Sequence, residues 1–245
     1  MIAAARPDVK AAYALMRSPP RYQLYDLQAD PEETKNLVND STYMEPLNRL
    51  REAHKMRVLD SVDSGFIPEG MLYEALKSGP DAWETVDAEL QYDVEKTFEL
   101  AQLAASVDGD TSQLLAAAKS ENAILRYWAA AGLRYRVQSA VKDHVAVLHQ
   151  LVNDDSPAVA IMAAETLSMS PNYETALVGI EKLKVLANHK NSNPFHAIRA
   201  LNAIDALDAK ANSIMEDMKA LPVDDGLKRG GGYLKRLVPD ILSSR

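Results

Sequence analysis

The sequence predicts a mainly α chain, a helical solenoid preceded by a small α+β segment, and three observations carry that expectation. An apolar pattern typical of amphipathic helices recurs at a fixed interval in the second half of the chain. A stretch near the amino terminus packs a strand pattern, a turn and a helix-start pattern into residues 21–37. From Asp93 onward the sequence is rich in alanine and nearly free of strand patterns. The expected division is an α+β segment over 1–68 and a helical repeat domain over 69–245.

Composition limits what such a chain can do. Its 245 residues, 47% hydrophobic and 25% charged, suit a globular chain of one or two domains. A formal charge of −8 argues against nucleic acid, an anionic membrane surface or a sulfated polysaccharide as the main partner, since each needs a basic footprint. Zero cysteines exclude disulfides, thiolate metal sites and cysteine nucleophiles. No apolar run approaches a membrane span, and Met1-Ile2-Ala3-Ala4-Ala5-Arg6 lacks the basic-then-apolar order of a signal peptide.

In chain order, Val9 to Met16 reads as a helical stub stopped by Ser18-Pro19-Pro20, whose prolines force an extended lead-in. Tyr22 to Tyr25 mixes polar residues with β-favouring aromatics, the pattern of a short strand that Asp26 ends. Asp30 is placed to cap a helix, Pro31 suits its first position, and Glu33 sits where a capping-box acid reaches back. Asn39-Asp40-Ser41 then reads as a turn with a capping residue, rather than as a used glycosylation sequon. Tyr43, Leu47, Leu50 and His54 follow on one helical face, His54 as a partly buried, hydrogen-bonded histidine. Two glycines and a proline in Asp63-Ser64-Gly65-Phe66-Ile67-Pro68-Glu69-Gly70 break the helical pattern and mark the boundary. The acids there lack the ligand order of a calcium loop. Lys77-Ser78-Gly79-Pro80-Asp81 is a second break.

The repeats lie beyond. Asn122 to Leu133 aligns with Ser156 to Leu167 at a shift of 34, and a third copy starts at Asn193-Pro194, 37 residues after Pro157. The inward sets are Leu125, Trp128, Ala129, Gly132, Leu133 and Val159, Met162, Ala163, Thr166, Leu167, spaced as one helical face. Asp155-Ser156-Pro157 and Ser192-Asn193-Pro194 supply a cap and a first-turn proline between paired helices. Two helices per 34 to 37 residues suit a solenoid. In the third copy His196 and Arg199 stand where the proline-anchored alignment expects apolar residues. Trp128 at an inward position is expected in the core rather than as a sugar-stacking platform. Finally, Leu227 to Arg236 joins four basic residues to three glycines; it lacks the features of a phosphate loop and reads as a flexible link. The helix it leads to, with Leu234, Leu237, Val238 and Ile241 on its apolar side, is expected to cap the open end of the solenoid.

Two resemblances follow from these residues. Leu24-Tyr25-Asp26-Leu27 with Asp30-Pro31-x-Glu33-x-x-Asn36-Leu37 resembles a motif of the C-terminal subdomain of type I sulfatases, and a looser likeness runs to Pro68. Arg126-Tyr127-Trp128-Ala129-Ala130-x-Gly132-Leu133 resembles HEAT repeats, in particular those fused behind some bacterial sulfatases related to heparan N-sulfatase. Residues 1–68 would then be a remnant of the sulfatase subdomain. The resemblance implies a parent that hydrolyses a sulfate ester or sulfamate on a sulfated sugar, periplasmic or secreted, with formylglycine and calcium in a catalytic domain not represented here.

No residue of this chain stands out as catalytic. The formylglycine pentapeptide Cys/Ser-x-Pro-x-Arg is absent, and in Ser18-Pro19-Pro20-Arg21 the arginine falls one position early. His144 and His149 lie on different sides of a helix, with no serine or acid in nucleophile spacing. The expectation is a non-catalytic C-terminal portion of a sulfatase-like hydrolase, without a cofactor of its own. Its repeats would pack on the catalytic domain or on another protein surface. The alternative is a free-standing HEAT-like protein-binding scaffold.

Overall fold

In a computed structural model, the described residues are 10, 13, 19–77, 84, 90–106, 108–136, 142–223, 226, 227 and 229–243. The stub Val9–Met16 lies outside them except for Lys10 and Tyr13, both helical, and so does most of the break at 77–81. Among the described residues there are eleven α-helices and no strand. The chain divides into two compact units, Met1–Asp63 and Ser64–Arg245.

In the first unit, the expected strand and capped helix between Tyr22 and Leu37 are both replaced by a loop closed on itself. The Leu24 N–H is taken by the Asn36 side chain (2.9 Å) rather than by a neighbouring strand. A single backbone bond, from the Leu37 N–H to the Leu24 carbonyl (2.8 Å), completes the closure. A strand needs a ladder, and none is offered. The helix fails because Glu33 adopts φ +53°, outside the right-handed region. The Asp30 carboxylate also reaches past the first turn, to the Thr34 hydroxyl (3.0 Å) and the Lys35 N–H (2.7 Å). Asp40, by contrast, caps a 3-10 turn, Ser41–Tyr43, by accepting from the Thr42 N–H, and this turn leads into α1, Met44–Asp60. The buried residues of α1 are Leu47 and Val58. Leu50 is 48% exposed and His54 is exposed, which corrects the expected face.

The second unit opens with a 3-10 turn, Ser64–Phe66, and α2, Glu69–Ala75. Gly70 is therefore inside a helix, not at a break. A Cβ there would overlap the His196 ring. Then come α3 (Val94–Ala104), α4 (Thr111–Ala117), α5 (Ala123–Arg136), α6 (Lys142–Leu151), α7 (Pro157–Ser168), α8 (Tyr173–Leu186) and α9 (Pro194–Ala206). Their starts follow the sequence: Asp93, Asp110, Asn172 and Asn193 each accept from backbone N–H groups of the first turn, and Pro157 and Pro194 occupy first positions.

The second helices of the pairs form a row, α5 against α7 and α7 against α9, with α4, α6 and α8 packed on it and α3 packed on α5. Helix α7 is the centre, and every residue from Ala158 to Ser168 is buried. It was expected to bury one face. It buries all of them, because helices of both layers surround it and its sequence carries apolar residues all round. Gly179 lets α8 approach closely: an added Cβ would overlap the Ala164 carbonyl oxygen and lie 2.6 Å from the Ser168 nitrogen.

After α9, a 3-10 segment (Asp208–Ile214) and α10 (Met215–Lys219) lead to α11, Gly231–Ser243. Leu234, Val238 and Ile241 are buried, and α11 packs on α9. Two of the three glycines, Gly231 and Gly232, belong to the helix and not to a link before it. Gly230, at φ +81°, sits against Pro194, where a Cβ would come within 2.6 Å, and Gly231 begins the helix in a buried position.

Candidate interaction cleft

Three successive second helices bring one side-chain row together. Tyr127 on α5, Ala158, Ile161 and Met162 on α7, and Phe195, His196, Ile198, Arg199 and Asn202 on α9 line a cleft of about 160 Å³, together with Pro68, Glu69 and Gly70. Ala158, Ile161 and Met162 are buried, so they make a recessed floor between walls from α5 and α9.

Beside the floor lies Glu165, 3% exposed and the one charged residue of α7. Its Oε1 pairs with Arg134 Nη2 of α5 (2.7 Å), and its Oε2 accepts from Arg199 of α9. A carboxylate buried this deeply is tolerated only when paired and hydrogen-bonded. Both its oxygens are so committed. Two guanidiniums thus face one carboxylate, and the row carries a surplus positive charge within an acidic chain. Burial pushes the neighbouring Tyr127 hydroxyl above its ordinary pKa, while Arg199 works the other way.

His196 is a further polar group at the cleft. It is 4% exposed, and neither ring nitrogen has a hydrogen-bond partner. Burial lowers its pKa from 6.5 to about 4, against the pull of Glu74, so it is neutral near pH 7. Its position is fixed by Asn193, whose Oδ1 caps α9 through the Phe195 and His196 N–H groups (both 2.9 Å). The Asn193 amide nitrogen donates to the Gly70 carbonyl (2.9 Å) and to Glu74 Oε1 (2.8 Å).

Of the expected core residues, Ala129, Leu133, Met162, Ala163 and Leu167 are buried, the first two and Ala163 completely. Trp128 is half-buried: its indole N–H donates to the Phe66 carbonyl (2.9 Å), and its ring meets Phe66 and Tyr127. Glu165 and Arg134 were missed in the sequence, although a lone acid in Ala158-Val159-Ala160-Ile161-Met162-Ala163-Ala164-Glu165 was a signal. His196 and Arg199 were noticed only as departures from the repeat. Both line the cleft.

The residues of the sulfatase-like motif gather in the loop of the first unit. Asp26 Oδ1 accepts from the Gln28 and Ala29 N–H groups (3.0 and 3.3 Å), and Asn36 bridges the Leu24 N–H and the Tyr22 carbonyl. Asp30 holds Thr34 and Lys35, which keeps its carboxyl below the usual range, the Lys35 N–H bond being the largest cause. Leu37 is buried and Leu24 and Tyr25 half-buried; Pro31 and Glu33 are exposed, as is Leu27 at 61%. Among the described residues no group of three or more acids or histidines is placed to hold a metal. No described helix is long and apolar enough to cross a membrane. His144 is buried and His149 half-buried on α6.

The comparisons with known proteins bear on the repeats alone. The HEAT repeats family matches residues 111–202, from the first residue of α4 into α9. No curated protein and no solved structure matches the chain. Nothing in these comparisons supports the sulfatase likeness of residues 21–37. Three helix pairs at shifts of 34 and 37, matched by that family, make the segment from Thr111 to Asn202 HEAT-like.

Proposed function

We propose that this chain is a HEAT-like scaffold that binds a segment of another protein along the row formed by α5, α7 and α9. The observation that carries the reading is the cleft, whose apolar floor and polar walls come from three successive repeats. Stacked repeats commonly present such a surface to a partner. A selection from a displayed library of random peptides tests it. Enriched peptides should bind the chain in calorimetry, lose binding with Tyr127→Ala and Phe195→Ala, and keep it with Val178→Ser on the outer layer. Binding indifferent to the row, or none at all, would overturn the reading.

A second reading is that residues 1–68 derive from a sulfatase C-terminal subdomain and that the repeats pack beside a sulfatase catalytic domain. What favours it is that Asp26, Asp30 and Asn36, the polar residues of the motif, are the ones whose side chains close the loop. Leu27, Met44, Leu50 and Met56, each 48% exposed or more, also leave apolar surface for a cover. In this reading calcium and formylglycine belong to the catalytic domain, and the chain alone hydrolyses no sulfate ester. Reading the DNA upstream of the Met1 codon for an open frame with Cys-x-Pro-x-Arg tests it; a stop codon in frame without such a segment would sink it.

A further inference from the structure

We propose that the cleft receives the carboxylate of an aspartate or glutamate side chain from the partner protein, held by Arg199 and the Tyr127 hydroxyl. This rests on the scaffold reading and names what the scaffold recognises.

The starting point is an unspent set of donors. Arg199 lines the cleft and spends Nη2 on Glu165, which leaves the rest of its five-donor fork, and a guanidinium has nothing to accept with. The Tyr127 hydroxyl lines the cleft as well and can donate beside it. The His196 ring lines the cleft with both nitrogens buried, so it reports what fills the cleft without bonding it. A charged group that accepts at two oxygens matches the guanidinium better than a hydroxyl or an amide does.

Charge and size narrow the class. With both oxygens of Glu165 occupied, Arg134 and Arg199 together leave one positive charge uncompensated beside the floor. Glu69 is the acid on the rim, and it is exposed, so water and salt screen it. At 160 Å³ the cleft falls below the roughly 300–1,000 Å³ typical of small-molecule sites. It has room for about five waters, the scale of one side chain and not of a sugar. The apolar floor of Ala158, Ile161 and Met162 suits the methylene stem of glutamate.

The test uses the full chain and three probes: N-acetylglutamate N-methylamide, the corresponding glutamine compound, and acetate, all at constant ionic strength and pH 7. Imidazole resonances of His196, assigned with His196→Phe, report binding. The glutamate probe is expected to give saturable shifts at His196, roughly tenfold tighter than the glutamine probe. Arg199→Gln should abolish that preference. Because this variant also unpairs Glu165, Tyr127→Phe, which removes only a hydroxyl, provides an independent weakening of about threefold or more. Equal shifts from glutamate and glutamine, or none, would overturn the proposal. Acetate binding as well as the glutamate probe would assign the site to a free carboxylate and overturn the partner side chain as its source. Peptides that bind the row without a carboxylate preference would refute this inference and leave the scaffold standing. A carboxylate preference with no peptide bound anywhere would overturn both, since the proposed carboxylate belongs to a partner protein.

Discussion

Glu165, in the last turn of α7, meets Arg199, near the middle of α9, 34 residues on in the chain, the same interval that relates the first two repeats. With Arg134 on the other oxygen, the pair links three consecutive second helices through one buried carboxylate. The burial is unequal: the side chain of Glu165 is 3% exposed, those of Arg134 and Arg199 27% and 36%. Removing the acid leaves two arginines that can turn to water, whereas removing both arginines strands a buried charge. Glu165→Gln is expected to cost about 1–2 kcal/mol and Arg134→Gln with Arg199→Gln about 3–5 kcal/mol. Urea denaturation of the variants measures the order; a larger loss from Glu165→Gln would contradict it.

His196 makes stability depend on pH. Its folded pKa of about 4 lies below the unfolded value of 6.5, so the unfolded chain takes up the proton first. The contribution is complete above pH 6.5, declines as pH falls toward 4, and changes no further below that. Over this window the wild type should lose roughly 3 kcal/mol relative to His196→Phe. Parallel denaturation curves for the two proteins between pH 4 and 7.5 would show it, and an unchanging difference would refute it.

Gly179 should tolerate no side chain. A Cβ there overlaps the Ala164 carbonyl oxygen, a backbone atom of a fully buried helix that has nowhere to yield. Gly179→Ala is expected to cost about 2–3 kcal/mol despite the better helix propensity of alanine. Gly232→Ala, with nothing near its Cβ, is the control and should be neutral or slightly stabilising.

Trp128 contributes a ring and a hydrogen bond that can be separated. Trp128→Phe should lose about 1 kcal/mol with the bond to the Phe66 carbonyl, and Trp128→Ala about 3 kcal/mol, the low end for an aromatic truncation because the ring is half-buried. Thermal unfolding of both variants tests the split; equal losses would mean that the ring packing contributes nothing.

Acid should loosen the first unit locally. Asp30 and Asp40 have carboxyl pKa values below 3.8, each chiefly through a backbone N–H bond, from Lys35 and Thr42 respectively. A depressed carboxyl stabilises the folded form above its unfolded pKa, and that contribution goes as pH falls through the lower folded value. The protection factors of the Lys35 and Thr42 amides, exchange rates divided into the intrinsic rate at each pH, should therefore fall once pH drops below 3.8. Unchanged protection there would show that the carboxylates do not hold these turns.

How far the sequence could be read depended on what each signal measures. The helix starts at Pro157 and Pro194, and the burial of Ala129, Leu133 and Leu167, follow from spacing and capping chemistry, which act within a few residues. The corner at Tyr22 to Leu37 misled because the same residues, Asp30-Pro31 and Glu33, serve a helix start and a closed loop equally well. Glu33 at φ +53° decided between them, and no local rule asks glutamate to be there. The cleft was hidden for a different reason. Periodicity treats polar residues on an inward face as noise, and His196, Arg199 and Glu165 become a group only when α5, α7 and α9 are stacked.

Asn193 gives the second unit a folding behaviour that its repeats alone would not. Its amide reaches Gly70, 123 residues back along the chain, while its carbonyl oxygen holds the first turn of α9. A plain repeat array nucleates anywhere and grows by neighbours, so its pieces can melt one at a time. Here the last pair of the array is tethered to the helix that opens the unit, and closing a loop that long is slow and unrewarded until both ends arrive. The two ends should therefore order together, late in folding, and come undone together, so that the array unfolds as one body and not by fraying from a single end.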